Sequence, residues 1–158
     1  MGAKGFYSAQ DGHIVNILPP VDITGGKTGA VFNMKNYAHA SLVILVGVSA
    51  AAFTKILVNV CTAADGSNAT AIPFDIFTCE TSNTDVTSAR TPVAAAGYTP
   101  SANDGIFYVI ELDAAQLPQG SPFVQLQLTN GANSVIASAM ALLSGARFGG
   151  DQSATALA

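Results

Sequence analysis

Short apolar runs, rather than a helical repeat, dominate the hydrophobic pattern of this chain. Residues 41–48 form an aliphatic run with no polar face, which is typical of a central strand covered on both sides. Residues 53–61 alternate, so we expect a strand whose Lys55 and Asn59 point to water or to a partner. The small residues 49–52 between the runs predict a tight turn, and the two runs together predict a hairpin.

Other alternating or apolar segments, separated by glycine, proline and asparagine turns, predict further strands. They are residues 13–18 (ended by Pro19 and Pro20), 30–34, 71–80, 106–112 and 123–128. Residues 133–147 fit both a helical stripe and strand alternation, and we prefer a strand because the surrounding segments are β. The 24 residues 81–104 form a long connection that should cover the sheet, cross between sheets or reach a neighbour.

Seven or eight short strands without a βαβ rhythm predict an all-β protein. The fold class that we expect is a single-domain β-sandwich, jelly-roll-like, with extended N- and C-terminal arms. We place an N-terminal arm at residues 1–12, the sandwich at 13–147 and a C-terminal tail at 148–158, because both ends are rich in small residues and lack periodicity.

The charge content suggests that much of the surface is covered. Charged residues are 10% of the chain, whereas an average soluble domain carries about 25%. A weakly charged surface favours burial against other subunits, and the alternative is a monomer with an uncharged polar exterior. The net charge of −4 and the scattered Lys and Arg residues argue against a nucleic-acid partner. We recognise no signal peptide and no membrane-spanning run.

Candidate catalytic and metal-binding residues are few, and each has a simpler structural explanation. A Ser–His–acid arrangement could be assembled from His39, Ser41 and Asp75, but no nucleophile-elbow pattern supports it. A histidine at a strand end or subunit contact is therefore favoured. Cys61 and Cys79 are too few for a zinc site or a disulfide scaffold, and we expect two reduced, buried thiols. We expect no enzyme activity, no catalytic residue, no cofactor and no metal.

Three other local patterns favour turns or strand ends over chemistry. Residues 26–28 (Gly-Lys-Thr) match the end of a phosphate-binding loop, but the position of its earlier glycine holds Val21. Glu80 and Glu111, the only glutamates, lie at or near predicted strand ends, and nothing in the sequence pairs them. Residues 65–68 favour a β-turn over weak calcium binding.

Segments spread over most of the chain carry a family resemblance. They are residues 10–15, 20–23, 103–128, 131–137 and 143–148. In these segments the chain resembles small virion structural proteins of tailed bacteriophages, and most of all capsid decoration, or cement, proteins. The shared motifs are structural and include no signature chemistry.

The resemblance implies a non-enzymatic protein that binds the outer capsid lattice and stabilises it by bridging neighbouring capsomers. The implied partners are the major capsid protein and further copies of the chain, with a trimer favoured over a dimer. The implied location is the capsid surface of the virion, after synthesis of the chain in the host cytoplasm without a signal peptide. The candidate capsid or subunit contacts are Phe6, Tyr7, Arg90, Tyr98, Arg147 and Phe148. The alternatives are a tail, neck or head-fibre component, and a carbohydrate-binding jelly roll for host attachment.

Overall fold

The structure, a computed structural model, describes residue 5 and residues 7–101, 104–147 and 156–157. Eleven strands and two short helical turns follow one another in this part of the chain. The strands are β1 (His13–Asp22), β2 (Lys27–Thr28), β3 (Phe32–Asn33), β4 (Tyr37–Ser49), β5 (Lys55–Cys61), β6 (Thr70–Ala71), β7 (Phe74–Cys79), β8 (Thr91–Val93), β9 (Ile106–Asp113), β10 (Phe123–Thr129) and β11 (Val135–Ala146). The helical turns are α1 (Ser8–Asp11) and a 3-10 turn (Ala114–Gln116).

The strands form two antiparallel sheets that pack face to face. The larger, six-stranded sheet has the order β1-β11-β4-β9-β7-β8. The smaller sheet has the order β2-β10-β5-β6, and β3 also pairs with β10. One hydrophobic core lies between the sheets, so the prediction of an all-β, single-domain sandwich is confirmed. Most of the predicted terminal arms lies outside the described residues, and the domain boundaries stay predictions.

Period-two alternation decides which side chains enter the core. Every second side chain of β9 and β10 is buried, and each fully buried aliphatic side chain contributes about 1.5–3 kcal/mol relative to an exposed one. β11 contributes the small side chains of Ala137, Ala139 and Ala141, which are at most 4% exposed. Small side chains on this face let the opposite sheet approach closely. The preference for a strand at residues 133–147 is confirmed.

The predicted hairpin between residues 41–48 and 53–61 is wrong. These residues form β4 and β5, which belong to different sheets. The residues between them cross from one sheet to the other beside the β10–β11 connection: the Ala50 N–H donates to the Ser134 carbonyl at 3.2 Å, and the Thr54 N–H donates to the Thr129 carbonyl at 3.0 Å. A small-residue break therefore marks a crossing between layers and not a turn within one sheet.

The expectation that residues 41–48 are covered on both sides is also wrong. Leu42, Ile44 and Val46 point into the core, whereas Leu45 is 44% exposed and Val48 is 81% exposed. β4 is central in its sheet, between β11 and β9, but the described residues form no second layer over its outward face. An aliphatic run without a polar face thus leaves apolar side chains at the surface.

The N-terminal region is more regular than expected. β1 continues through Pro19 and Pro20 to Asp22 because it is an edge strand, which needs backbone donors on one side only. The pairing of β1 with β11 shifts register between Leu18 and Val21, which accommodates the two prolines. One turn of helix, α1, lies inside the predicted loose arm.

The remaining strand predictions differ mainly in their bounds. Residues 106–112 and 123–128 lie in β9 and β10 as predicted. Residues 30–34 contain only the two-residue strand β3, and residues 71–80 are divided at Pro73 between β6 and β7. The additional strands are pieces of two or three residues, so eleven strands replace the predicted seven or eight.

The long connection, residues 81–104, crosses between the sheets. Its strand β8 extends the six-stranded sheet beside β7. Further along, Tyr98 forms a backbone bridge with Ile56 of β5, with N–H···O distances of 2.8 and 2.9 Å in the two directions. The connection therefore fastens one sheet to the other, which is one of the three roles that its length allows.

Candidate functional site

The outward side chains of the six-stranded sheet, here called the outer face, are mostly apolar. They belong to alternate positions of β1, β11, β4, β9 and β7, so the register of these strands sets their neighbours: Met140 lies beside Val43, and Val43 lies beside Val109. Ile14, Leu45, Ile136 and Met140 are 38–50% exposed. A groove of about 420 Å³ runs between β1, β11 and β4. Exposed aliphatic side chains in a continuous array are typical of a protein-binding surface.

A polar cluster lies at one end of the outer face. β4 supplies His39 and Ser41, and β9 supplies Glu111 and Asp113; in the register of these strands His39 is opposite Asp113 and Ser41 is opposite Glu111. We call these four residues the histidine–carboxylate cluster. Its neighbour on β7, Asp75, is paired with Glu111 in the sheet register.

Both ring nitrogens of His39 face carboxylates. Nδ1 lies 2.8 Å from Asp113 Oδ1, and Nε2 lies 2.7 Å from Glu111 Oε2. A neutral imidazole has only one N–H, whereas an imidazolium donates from both nitrogens. The two carboxylate partners therefore favour the imidazolium, and His39 joins two carboxylates of β9 to β4.

The protonation of His39 reflects two opposing effects. Burial lowers the pKa of the ring, but the hydrogen bonds and the negative charges of Asp113 and Glu111 outweigh that effect, so the pKa of His39 is raised above its usual 6.5. The cluster carries two carboxylates and one cation. It is therefore a net negative site at the end of a mostly apolar face.

The structure brings together two of the three residues of the hypothetical Ser–His–acid arrangement. Ser41 Oγ is 3.4 Å from His39 Nε2, but it donates a hydrogen bond to Glu111 Oε2 at 2.6 Å. Asp75 is not the acid that contacts the ring; its Oδ2 accepts from Arg90 Nη2 at 2.6 Å. Because both ring nitrogens donate, His39 does not accept the Ser41 proton. The cluster is therefore a set of hydrogen bonds that join the side chains of β4 and β9.

Sequence reasoning missed Glu111 and Asp113 as partners of His39. They lie 72 and 74 residues from it along the chain, and only the register of β4 and β9 brings them together. The available signal was an ionisable pair at the end of a predicted strand, with Glu111 and Asp113 on the same side of that strand.

Stability should depend on pH through His39. Because the folded pKa is raised, the stabilising effect of His39 is fully present below its unfolded pKa of about 6.5 and is lost as the pH rises through the folded pKa. We expect the difference in unfolding free energy between the wild type and His39→Gln to shrink steadily as the pH rises above 6.5. Urea unfolding at a series of pH values measures this difference.

A matched control separates charge from hydrogen bonding at this cluster. The double variant Glu111→Gln, Asp113→Asn keeps acceptor oxygens but removes both negative charges. We add His39→Gln to this double variant and measure the resulting change in unfolding free energy. This change should vary less with pH than the change that His39→Gln causes in the wild type. If the difference in unfolding free energy between the wild type and His39→Gln stays constant or increases above pH 6.5, the imidazolium assignment is contradicted.

The residues predicted as capsid or subunit contacts occupy different settings. Tyr7 is 54% exposed, and the Arg90 side chain is 70% exposed beside Asp75. Tyr98 is half-buried, and its hydroxyl donates to Glu80 at 3.3 Å. Arg147 is exposed at the end of β11. The two remaining residues lie outside the described part of the chain: Phe6 and Phe148. The contact roles of all six stay predictions.

The cysteines are buried and free, as predicted. Cys61 lies in the smaller sheet and Cys79 in the larger one. Burial raises the pKa of the Cys61 thiol, and the negative charge of Asp65 adds to this effect. The Cys79 thiol donates to the Thr84 carbonyl at 3.3 Å.

The two loop motifs are turns. The Gly26 N–H donates to the Ile23 carbonyl at 2.8 Å, and residues 27–28 pair with β10. The Asp65 side chain accepts from the Ser67 N–H at 2.9 Å, which closes an Asx-turn. Within the described residues, no group of three or more His, Cys, Asp or Glu side chains could hold a metal ion. No helix there is long and apolar enough to cross a membrane.

Comparisons with protein-family models, with curated proteins and with solved structures found no match to this chain.

Proposed function

We propose that this chain is a non-enzymatic structural protein of a tailed-phage virion that binds the outer capsid lattice as a decoration protein. The resemblance of its sequence segments to such proteins suggests the class. The observation that carries the proposal is the outer face, a largely apolar sheet surface with no covering layer among the described residues. A protein with this surface and 10% charged residues is suited to a setting where neighbours cover it.

The outer face is large enough for a stable contact. Its four longest strands, β1, β11, β4 and β9, have 8–13 residues, and strand spacing and rise give the face an area on the order of 600 Å². Each partner in a standard protein interface buries about 600–1,000 Å², so the outer face lies at the lower end of this range. We assign the outer face to contact with another copy of this chain, because apolar surfaces of this size are typical of homo-oligomers.

The assembly that we expect is the trimer that the resemblance favours. In a trimer, the outer face of one copy contacts a different surface of the next copy, because only a twofold dimer pairs a surface with itself. Several copies joined in this way bind the capsid multivalently, which raises avidity without a stronger single contact. Binding to the assembled lattice alone stabilises that lattice by mass action.

Substitution of Leu45 by aspartate tests the assignment of the outer face. Leu45 is 44% exposed, so the variant should remain folded, whereas a buried unpaired charge in an interface costs several kcal/mol. We expect the wild type to sediment as an oligomer and Leu45→Asp to sediment as a monomer with much lower occupancy on capsids. Analytical ultracentrifugation and cosedimentation with capsids measure the two effects.

Val86→Asp is the matched control for that experiment. Val86 is 74% exposed in the connection between β7 and β8, outside the strands that form the outer face, so its substitution should leave the oligomer intact. A wild-type chain that is monomeric at high concentration would contradict the assignment of the outer face, and so would an oligomer that Leu45→Asp leaves intact.

A further inference from the structure

A pocket of about 460 Å³ opens at one end of the sandwich. The 3-10 turn after β9, the loop before β10, the turn before β4 and the end of β11 form its walls. Its apolar surface comes from Met34, Leu117, Pro118 and Pro122. It is separate from the outer face, and one of the residues that line it, Arg147, is among the predicted capsid or subunit contacts.

The ionisable side chains that line this pocket among the described residues are both cationic. They are Lys35 and Arg147. The whole chain has only six Lys and Arg residues and a net charge of −4, so two of its few cations lie at one pocket. Neither forms an ion pair with a described residue. Cations without an ion-pair partner among the described residues, beside an apolar wall, favour a ligand that has both a negative charge and an apolar group.

Further hydrogen-bond donors line the same pocket. Ser121 contributes a hydroxyl group, and so does Thr62, whose Oγ1 accepts from Asn68 at 3.0 Å and keeps its own proton available. Hydroxyl donors and two cations together complement a carboxylate. A phosphate ion alone would leave the apolar wall in contact with water.

Backbone hydrogen bonds hold the pocket in shape. The Met34 N–H donates to the Pro122 carbonyl at 2.9 Å, which joins two of the walls. The Arg147 N–H donates to the Asn36 carbonyl at 2.9 Å, and the Lys35 N–H donates to Asn33 Oδ1 at 2.8 Å. The backbones of both cationic residues are therefore fixed, so binding costs little ordering of the main chain.

We propose that this pocket binds a peptide segment of a partner protein in which a carboxylate lies next to an apolar side chain. Lys35 and Arg147 pair with the carboxylate, and the apolar side chain packs between Leu117 and Pro122. Charge complementarity between a cationic pocket and an acidic segment also gives the contact a strong dependence on salt.

NMR titration of the full-length ¹⁵N-labelled chain tests the proposal with N-acetyl-leucine as the probe. This molecule has one carboxylate next to one apolar side chain, and its neutral analogue N-acetyl-leucinamide lacks only the charge. We expect saturable shifts at the amides of Lys35, Ser121 and Arg147 with a millimolar Kd. The neutral analogue should bind about tenfold more weakly, because it loses the charge-assisted hydrogen bonds to the two cations.

Variants assign the effect to the two cations. Lys35→Gln and Arg147→Gln should each weaken N-acetyl-leucine binding severalfold, whereas Lys27→Gln, an exposed lysine on β2 at another place in the fold, should leave it unchanged. Three results would overturn the proposal: no saturable shift at tens of millimolar probe, equal binding of the neutral analogue, or shifts at these amides with inorganic phosphate but not with N-acetyl-leucine.

Discussion

Replacing Gly97 with alanine is expected to destabilise the fold by about 3 kcal/mol or more. Gly97 has a φ of +86°, and a Cβ at this position would lie 2.5 Å from the carbonyl oxygen of Ile56. That oxygen accepts the Tyr98 N–H in the bridge between the long connection and β5. Alanine must therefore adopt an unfavourable backbone conformation and also displace the bridge that fastens the two sheets together. Urea unfolding measures the loss.

Gly120→Ala is the matched control because it isolates the backbone effect. Gly120 has a φ of +83°, but a Cβ there meets nothing within 4 Å. Its substitution should cost only about 1–2 kcal/mol, the cost of a left-handed conformation for a residue with a Cβ. If the two variants lose the same stability, the close approach of Gly97 to Ile56 is not what makes that position sensitive.

Replacing Glu80 with alanine should cost about 2–4 kcal/mol, because a charged acceptor in a partly buried network is removed. Glu80 Oε1 accepts from the hydroxyl of Tyr108 at 2.8 Å, and it also accepts from the Ser101 N–H at 3.0 Å. The Ser101 hydroxyl donates to the other carboxylate oxygen. Tyr108 is fully buried, so its hydroxyl would lose its partner and stay shielded from water. Thermal or urea unfolding measures the effect.

Two comparisons make the Glu80 result specific. Glu80→Gln keeps an acceptor oxygen for Tyr108 and should lose less stability than Glu80→Ala. Burial raises the pKa of Glu80, but the hydrogen bonds from Ser101, Tyr108 and Tyr98 outweigh it, so the pKa lies below its usual 4.5. The stabilisation is therefore present above pH 4.5 and is lost as the pH falls through the folded pKa. Equal losses in both variants would contradict this account.

Gly97→Ala and Glu80→Ala both weaken the attachment of the long connection, residues 81–104, to the two sheets. Glu80 joins the end of β7 to Ser101 at the far end of the long connection, and the Gly97–Tyr98 pair joins that connection to β5. Tyr98 and Tyr108 also pack together, with ring centroids 5.8 Å apart. The connection therefore stabilises the sandwich by linking its layers, and its length does not indicate a loose loop.

Local sequence patterns predict which residues form strands better than they predict which strands pair. Residues 106–112 and 123–128 alternate clearly, and both are strands. The partners of β4 are β11 and β9, both distant in sequence. No local pattern distinguishes these pairings from a hairpin with β5, because alternation describes the two faces of a strand and not its neighbours.

The same limit applies to the candidate sites. His39 and Glu111 are each recognisable as polar residues near strand ends, but their contact depends on the register between β4 and β9. The outer face was not predictable either, because an aliphatic run looks the same whether its second face is covered by protein or exposed. Low charge content, by contrast, is visible in the sequence and agrees with an exposed apolar surface.

The number of copies of this chain per purified virion, relative to the major capsid protein, tests the proposed function most directly. Quantitative mass spectrometry of the phage particle measures this ratio. Our account predicts one copy per capsid subunit or a simple fraction of that number, because a decoration protein occupies equivalent sites over the whole lattice. A handful of copies per particle would indicate a neck or tail component, and either that result or the absence of the chain from virions would contradict the proposal.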